Sequence, residues 1–249
     1  MFVAASSDCF PELDLESAVS RLSDLEYSRF EIAVHERGQQ LKPSELVGDL
    51  DSGIEKCRSG HRLTPVAIDV GIDATGDAYY EQFAAVCRLA KALKVVTVCV
   101  PASELGTPFN AEVERLRELV AIGVNDGVVV ALKTQIGCVS QDPSTAKVFC
   151  DNVKGLGIAL DPSCYHYGSQ AGVDYDSLIP YTRHVILRDT NEQTFQARVG
   201  QGNIEYGRLI TQLSQAKYNR ALSVHIQPAE EVEHHAELRK IRLLLDSLL

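Results

Sequence analysis

Several side chains able to carry acid–base, nucleophilic or metal chemistry stand in, or at the end of, short apolar runs. Glu31 lies inside "RFEIAV" (29–34), Asp69 ends "TPVAID" (64–69) and Lys133 ends "GVVVALK" (127–133). Asp161, Cys164 and His166 follow one another in "LGIALDPSCYHYG" (156–168). Arg188 and Asp189 close "HVILRD" (184–189), and His225 stands in "ALSVHI" (221–226). An acid within an apolar strand is costly unless it is paired or solvated in a site. A divalent metal needs hard oxygen ligands and imidazoles from different strands, about 2 to 2.2 Å from the ion. Asp161, His166 and His225 are candidates, with Glu31 or Asp69 as a further carboxylate. Cys164 would bias the site towards zinc, whereas the ammonium of Lys133 repels a cation. Proton transfer is the other chemistry on offer, with His225, His166 or Lys133 as base. Strand ends are also where polar residues return to solvent, and Arg188–Asp189 could serve only to hold neighbouring strand ends together.

What positions these groups is a repeat. Eight β-branched apolar runs begin at residues 2, 29, 64, 95, 127, 156, 184 and 221, a spacing of one strand plus one helix. Amphipathic 3.6-residue periods fill the gaps at 14–25, 79–93, 109–123, 145–153, 205–216 and 229–249. Asp14 sits where an N-cap belongs, and Gly123 is suited to a C-cap. Continuous apolar strands imply burial on both faces, and alternating βα units imply a parallel sheet. Eight units in 249 residues predict a (β/α)8 TIM barrel, one domain over 1–249. A doubly wound open sheet is the alternative, but the first βα turn, "AASSDCFPELD", has no glycine-rich phosphate fingerprint. In a barrel the chemistry sits at the C-terminal strand ends, where these residues fall.

The formal net charge of −10, with acids and bases interspersed, argues against a nucleic-acid partner. No run reaches the roughly 18 apolar residues of a membrane span, and "MFVAASSDCF" lacks a secretory leader's basic start. Seven cysteines without a CxxC pair read as free thiols, so the expected location is the cytoplasm. The basic stretch "RSGHR" (58–62) reads as a loop, and His234–His235 as solvated surface on the last helix. The leucine-rich end "IRLLLDSLL" reads as that helix packing on the barrel, or as a homo-oligomer contact.

The sequence resembles the xylose-isomerase-like barrel superfamily of sugar isomerases, epimerases and endonucleases. "YSRFEIAVHE" resembles its second strand, "GVVVALKTQ" its fifth and "LGIALDPSCYHYG" its sixth. "HVILRDTNEQTFQARVGQGNIEY" resembles the seventh, with a basic–Asp strand end followed by a "VGxG" turn from Val199 to Tyr206. The resemblance implies a metal (zinc, manganese or magnesium) held by Glu from the fifth strand, Asp and His from the sixth, His from the seventh and Glu from the eighth. Here those positions carry Lys133, Asp161 with Cys164, Ile186 and His225. The implied function is a sugar or sugar-phosphate isomerase or epimerase with an altered, metal-poor site and a small carbohydrate as partner. Lys133, His225 and Glu31 would be catalytic; Arg188, Asp189, His166 and Asp69 would bind substrate; Asp161 and Cys164 would be the remaining metal ligands. A non-catalytic sugar- or anion-binding barrel is the alternative, and a Schiff-base lyase or aldolase using Lys133 a third. The endonuclease role needs a multi-metal set and a basic groove, which the sequence does not show.

Overall fold

The computed structural model describes residues 1–59, 63–230 and 232–249, so 60–62 of the basic stretch lie outside the described residues. Its eight strands are β1 Phe2–Ser6, β2 Arg29–His35, β3 Thr64–Gly71, β4 Thr97–Val100, β5 Val129–Lys133, β6 Gly157–Leu160, β7 Thr182–Leu187 and β8 Ala221–Val224. They pair in chain order, all parallel, and β8 returns to β1 to close the barrel. The predicted (β/α)8 barrel is therefore the fold.

The helices are α1 Leu15–Asp24, α2 Pro43–Gly48, α3 Leu50–Arg58, α4 Asp77–Leu93, α5 Phe109–Asn125, α6 Pro143–Asn152, α7 Tyr206–Gln215 and α8 His234–Asp246. Asp14 caps α1 by accepting from the Ser17 amide at 2.8 Å, while Leu15, Ala18, Val19 and Leu22 turn inward. One large apolar core lies between the outer faces of the strands and these helices. A separate cluster of Cys99, Ala131, Ala159 and Ile186, from four consecutive strands, fills part of the barrel interior. Small side chains there leave room for polar neighbours on the same layer.

Two local expectations, at Gly123 and His234, need correction, and two links between strands carry elements that the sequence periods do not show. Helix α5 does not stop at Gly123 but runs on to Asn125. Gly123 is instead a point of close approach, since a Cβ there would stand 3.1 Å from both the Val128 carbonyl oxygen and Val130 Cγ2 of the β5 segment. Two short helices, α2 and α3, fill the β2–β3 link, with Asp49 capping α3 through the Ser52 amide. The β6–β7 link holds 3-10 turns at Pro162–Tyr165, Gly168–Gln170 and Asp176–Tyr181 rather than an α-helix. Pro180 lies inside the last of these turns and removes an amide that a regular helix there would need. Finally, His234 is not free surface. Its Nε2 lies 2.7 Å from the Cys9 carbonyl oxygen and its ring meets Phe10 edge-on, tying α8 to the turn after β1.

The ladder is irregular at two points. The β2–β3 register passes from Phe30↔Pro65 to Glu31↔Ala67, skipping Val66. The β6–β7 register passes from Ile158↔Thr182 to Ala159↔His184, skipping Arg183. Such bulges re-aim the side chains beside them, and these stand next to Glu31 and His184.

Candidate active site

Strand side chains alternate between faces, so Glu31 and His35 share the inner face of β2, as His184, Ile186 and Arg188 share that of the β7 segment. The deepest polar group is Glu31, fully buried. His225 Nε2 lies 2.7 Å from one of its oxygens, and His184 Nε2 closes on the other. Both contacts are near in distance, although the ring N–H directions depart from good hydrogen-bond alignment. Burial alone would push the Glu31 carboxyl up; the imidazoles of His225 and His184 override it and hold the group well below the usual carboxylate range.

Nearer the C-terminal rim stands a second polar cluster. Lys133 Nζ lies 2.9 Å from each oxygen of the buried Asp69, and His35 Nε2 lies 3.3 Å from Asp69 Oδ2. Burial opposes the charge on each of these three groups, and the pairing outweighs it. Asp69 is held below the ordinary range, while Lys133 and His35 are raised above theirs. Lys133 is therefore an ammonium ion at neutral pH. Asp8 extends the cluster, 3.9 Å from His35 Nδ1 and 2.8 Å from the Gln227 amide nitrogen.

A cleft of about 480 Å³ opens above these groups, with Lys133, Ile186, His225, Asp161 and Arg188 in its lining and Ile136, Tyr167 and Phe195 on its apolar side. Arg188 Nη2 lies 3.0 Å from Asp161 Oδ2, and its guanidinium covers the Phe195 ring at 4.7 Å. Phe195 and Tyr167 meet edge-on. Gln196 and Gln227 exchange two 2.7 Å hydrogen bonds, side-chain amide to backbone in both directions, and so fasten the loop after β7 to the end of β8. Asp189 faces away from the cleft. Its carboxylate accepts from the amides of Thr190, Gly200 and Gly202, which holds the "VGxG" turn against the strand.

The sequence profile of the xylose isomerase-like TIM-barrel family matches residues 19–242. The chain belongs to that family. No protein of curated function matches it by sequence. Among solved structures it is similar to a 3-keto-D-glucoside 4-epimerase from E. coli, at 15% identity and a TM-score of 0.77 over 99% of each chain. It is similar to an IOLI protein with a binding zinc atom, at 19% identity and a TM-score of 0.74, covering 100% of this chain and 98% of that one. A xylose isomerase-like barrel from Mycobacterium smegmatis in complex with magnesium also matches, at 14% identity and a TM-score of 0.74, over 94% and 89% of the two chains. At such identities the likeness is one of fold.

In this xylose isomerase-like barrel the residues at the implied metal positions do not fit an ion. Lys133 brings an ammonium to the fifth strand and Ile186 has no donor atom. Asp161 is held by Arg188 on one oxygen and accepts from the Ser163 amide at 3.0 Å on the other. Cys164 donates its thiol to the Thr134 carbonyl at 3.2 Å, and burial raises its pKa, which keeps it protonated. Glu31, Asp69 and His225 do form a possible ligand triad, with one atom from each within 4.8 Å of the others. As they stand they suit protons better. Lys133 caps both Asp69 oxygens, and His225 Nε2 stands only 2.7 Å from a Glu31 oxygen. Two ligands on one tetrahedral zinc stand roughly 3.4 Å apart.

The structure thus brings Glu31, Asp69, Lys133, Asp161, Arg188 and His225 to one mouth, with Cys164 in the cleft wall. It does not bring His166 there. That ring lines a different cavity of about 220 Å³ with Tyr175, Glu205 and Arg208, and burial lowers its pKa. His35 and His184, to which the sequence alone assigns no role, join the two inner clusters. The available signal was parity: His35 is four residues beyond Glu31 and His184 four before Arg188, each on the same face of its strand.

Proposed function

We propose that the barrel catalyses proton transfer beside the carbonyl of a small carbohydrate, as a sugar or sugar-phosphate isomerase. One observation carries the reading: His225 lines the cleft with its Nε2 backed by the buried Glu31 carboxylate, and the Lys133 ammonium lines the same cleft. With Nε2 turned to Glu31, Nδ1 of His225 is left to accept a proton from the carbon next to the carbonyl. Lys133 donates to the carbonyl oxygen, where negative charge develops as the enediolate forms. The imidazolium then returns its proton to the former carbonyl carbon, while the hydroxyl proton on the carbon first deprotonated passes to the former carbonyl oxygen through Lys133, so carbonyl and hydroxyl exchange places. A base on one side of the substrate suits a 1,2 shift between aldose and ketose. Epimerisation needs delivery to the opposite face, and His166 is not there to make it. Arg188 would hold an anionic substituent and Phe195 the apolar face of the sugar. The metal of the zinc and magnesium relatives has no place in this scheme because Lys133 stands against it. The likeness to the E. coli epimerase supports a carbohydrate substrate class.

The Schiff-base reading needs a neutral Lys133 amine, and Asp69 works against that. The non-catalytic alternative draws on the Arg188–Asp161 pair, which already closes part of the cleft. The seven free, buried cysteines support a reducing compartment such as the cytoplasm. The test is incubation with a panel of ketoses and ketose phosphates in D2O, following carbon-bound deuterium by NMR. The proposal expects exchange that falls about 10²–10⁴-fold in His225→Asn. Thermal stabilisation by a sugar with no exchange would leave only the binding reading, and exchange that survives His225→Asn would remove the base.

A further inference from the structure

The opposite, N-terminal end of the barrel carries a charge pattern that the chain as a whole does not. A cavity of about 310 Å³ is lined by Lys94, Arg183 and Arg220, with Phe2, Thr97 and His184 among its other walls and no carboxylate in its lining. Arg29 adds a fourth cation, its guanidinium 4.1 Å from the centre of the Phe2 ring. The chain's net charge is −10, so a concave, purely cationic patch is an exception that ordinary surface statistics do not supply.

The cations are positioned by the fold. Arg183 is the residue skipped in the β6–β7 register, and its Nη1 donates to the carbonyls of Thr182 and Pro180 at 2.9 and 3.3 Å. Its stem lies where a Cβ on Gly157 would be, so that glycine makes room for it. Arg220 precedes β8 and donates to Thr97 Oγ1 at 2.7 Å. Lys94 ends α4 in the left-handed conformation, with φ +60, which turns the chain at the cavity's edge. None of these contacts neutralises charge, because every acceptor is a carbonyl or hydroxyl.

We infer that this cavity binds an oxyanion, the phosphate group of a small metabolite, on the barrel face opposite the cleft. Two fixed guanidinium groups and an ammonium match the fork geometry and charge of a phosphate. Apolar walls from Phe2, Pro65, Val66 and Val96 would take the body of the molecule. The inference is independent of the isomerase reading, since it uses no residue of the cleft.

Inorganic phosphate, titrated against chloride at constant ionic strength and followed by calorimetry, tests it. In the Arg188→Ala background, which removes the cleft's own anion-holding residue, the expected result is one saturable isotherm, weakened at least tenfold when Lys94→Asn/Arg183→Gln is added. Asparagine tolerates the left-handed backbone at 94, and glutamine keeps much of the stem at 183. Lys94→Asn alone, at an exposed position, should weaken binding in a protein of unaltered melting temperature. No saturable binding in that background, or binding unchanged when Lys94→Asn/Arg183→Gln is added, would overturn the inference.

Discussion

Lys133 Nζ stands equidistant from the two carboxylate oxygens of Asp69, at 2.9 Å from each. The pair is mostly buried, with the lysine side chain 22% and the aspartate 3% exposed. Removing one member leaves the other charged in a low-dielectric interior. Lys133→Met is expected to cost about 3 kcal/mol or more, and Lys133→Met/Asp69→Asn to recover part of it. Chemical denaturation of the two variants measures the difference.

The same pair fixes the protonation of Lys133. Borohydride treatment in the presence of a keto sugar should give no mass increase at this residue at neutral pH, because the amine nucleophile is absent. A trapped adduct on Lys133, located by peptide mass spectrometry, would reinstate the aldolase reading.

His35 should leave a mark on stability against pH. Its folded pKa is raised, with burial opposing and Asp69 driving the shift. A raised imidazole contributes stability that is fully present below the unfolded value of about 6.5 and is lost as pH rises through the folded value. The His35 contribution to unfolding free energy should therefore decline as pH rises above about 6.5, and His35→Gln should flatten that segment. Asp69 acts in the opposite sense. Its depressed pKa contributes above about pH 4 and is lost on further acidification.

Gly202 is expected to tolerate no side chain, because a Cβ would overlap the Asp189 carboxylate that its own amide meets. Gly202→Ala should cost at the upper end of the roughly 1–3 kcal/mol of overpacking. Gly207→Ala, where a Cβ meets nothing within 4 Å, is the neutral control. Thermal melts compare them.

Metal content gives a direct check on the cleft. Purified protein is expected to hold less than stoichiometric zinc, magnesium or manganese by elemental analysis. Chelation should leave both melting temperature and deuterium exchange unchanged. A bound ion lost together with stability in Asp69→Asn would show that Lys133 moves aside to admit it.

The barrel was legible because its signal is repeated. Eight apolar runs at even spacing outweigh any single ambiguous boundary, and Asp14 caps α1 as its type suggests. The short helices between β2 and β3 escaped because neither carries enough turns to show a period. The site was legible as a set of strand ends but not as a set of pairs. Sequence order says that Lys133 and Asp69 both end strands, yet only closure of the barrel puts an ammonium on that carboxylate. Likewise His166 shares a segment with Asp161, but the turn at Pro162–Tyr165 carries it to another cavity. Asp189 reads in the sequence as a rim carboxylate, and the amides of its own downstream turn claim it.

Glu31 touches one imidazole on each oxygen, His225 in the wall of the upper cleft and His184 in the wall of the lower cavity. A TIM barrel normally insulates its two ends with layers of hydrocarbon. Here the hydrocarbon is breached along one line, three side chains deep. The two mouths are joined by one continuous line of ionisable side chains. Substitutions at the base of this barrel are then not silent packing changes, and variation there should be read together with variation at the cleft.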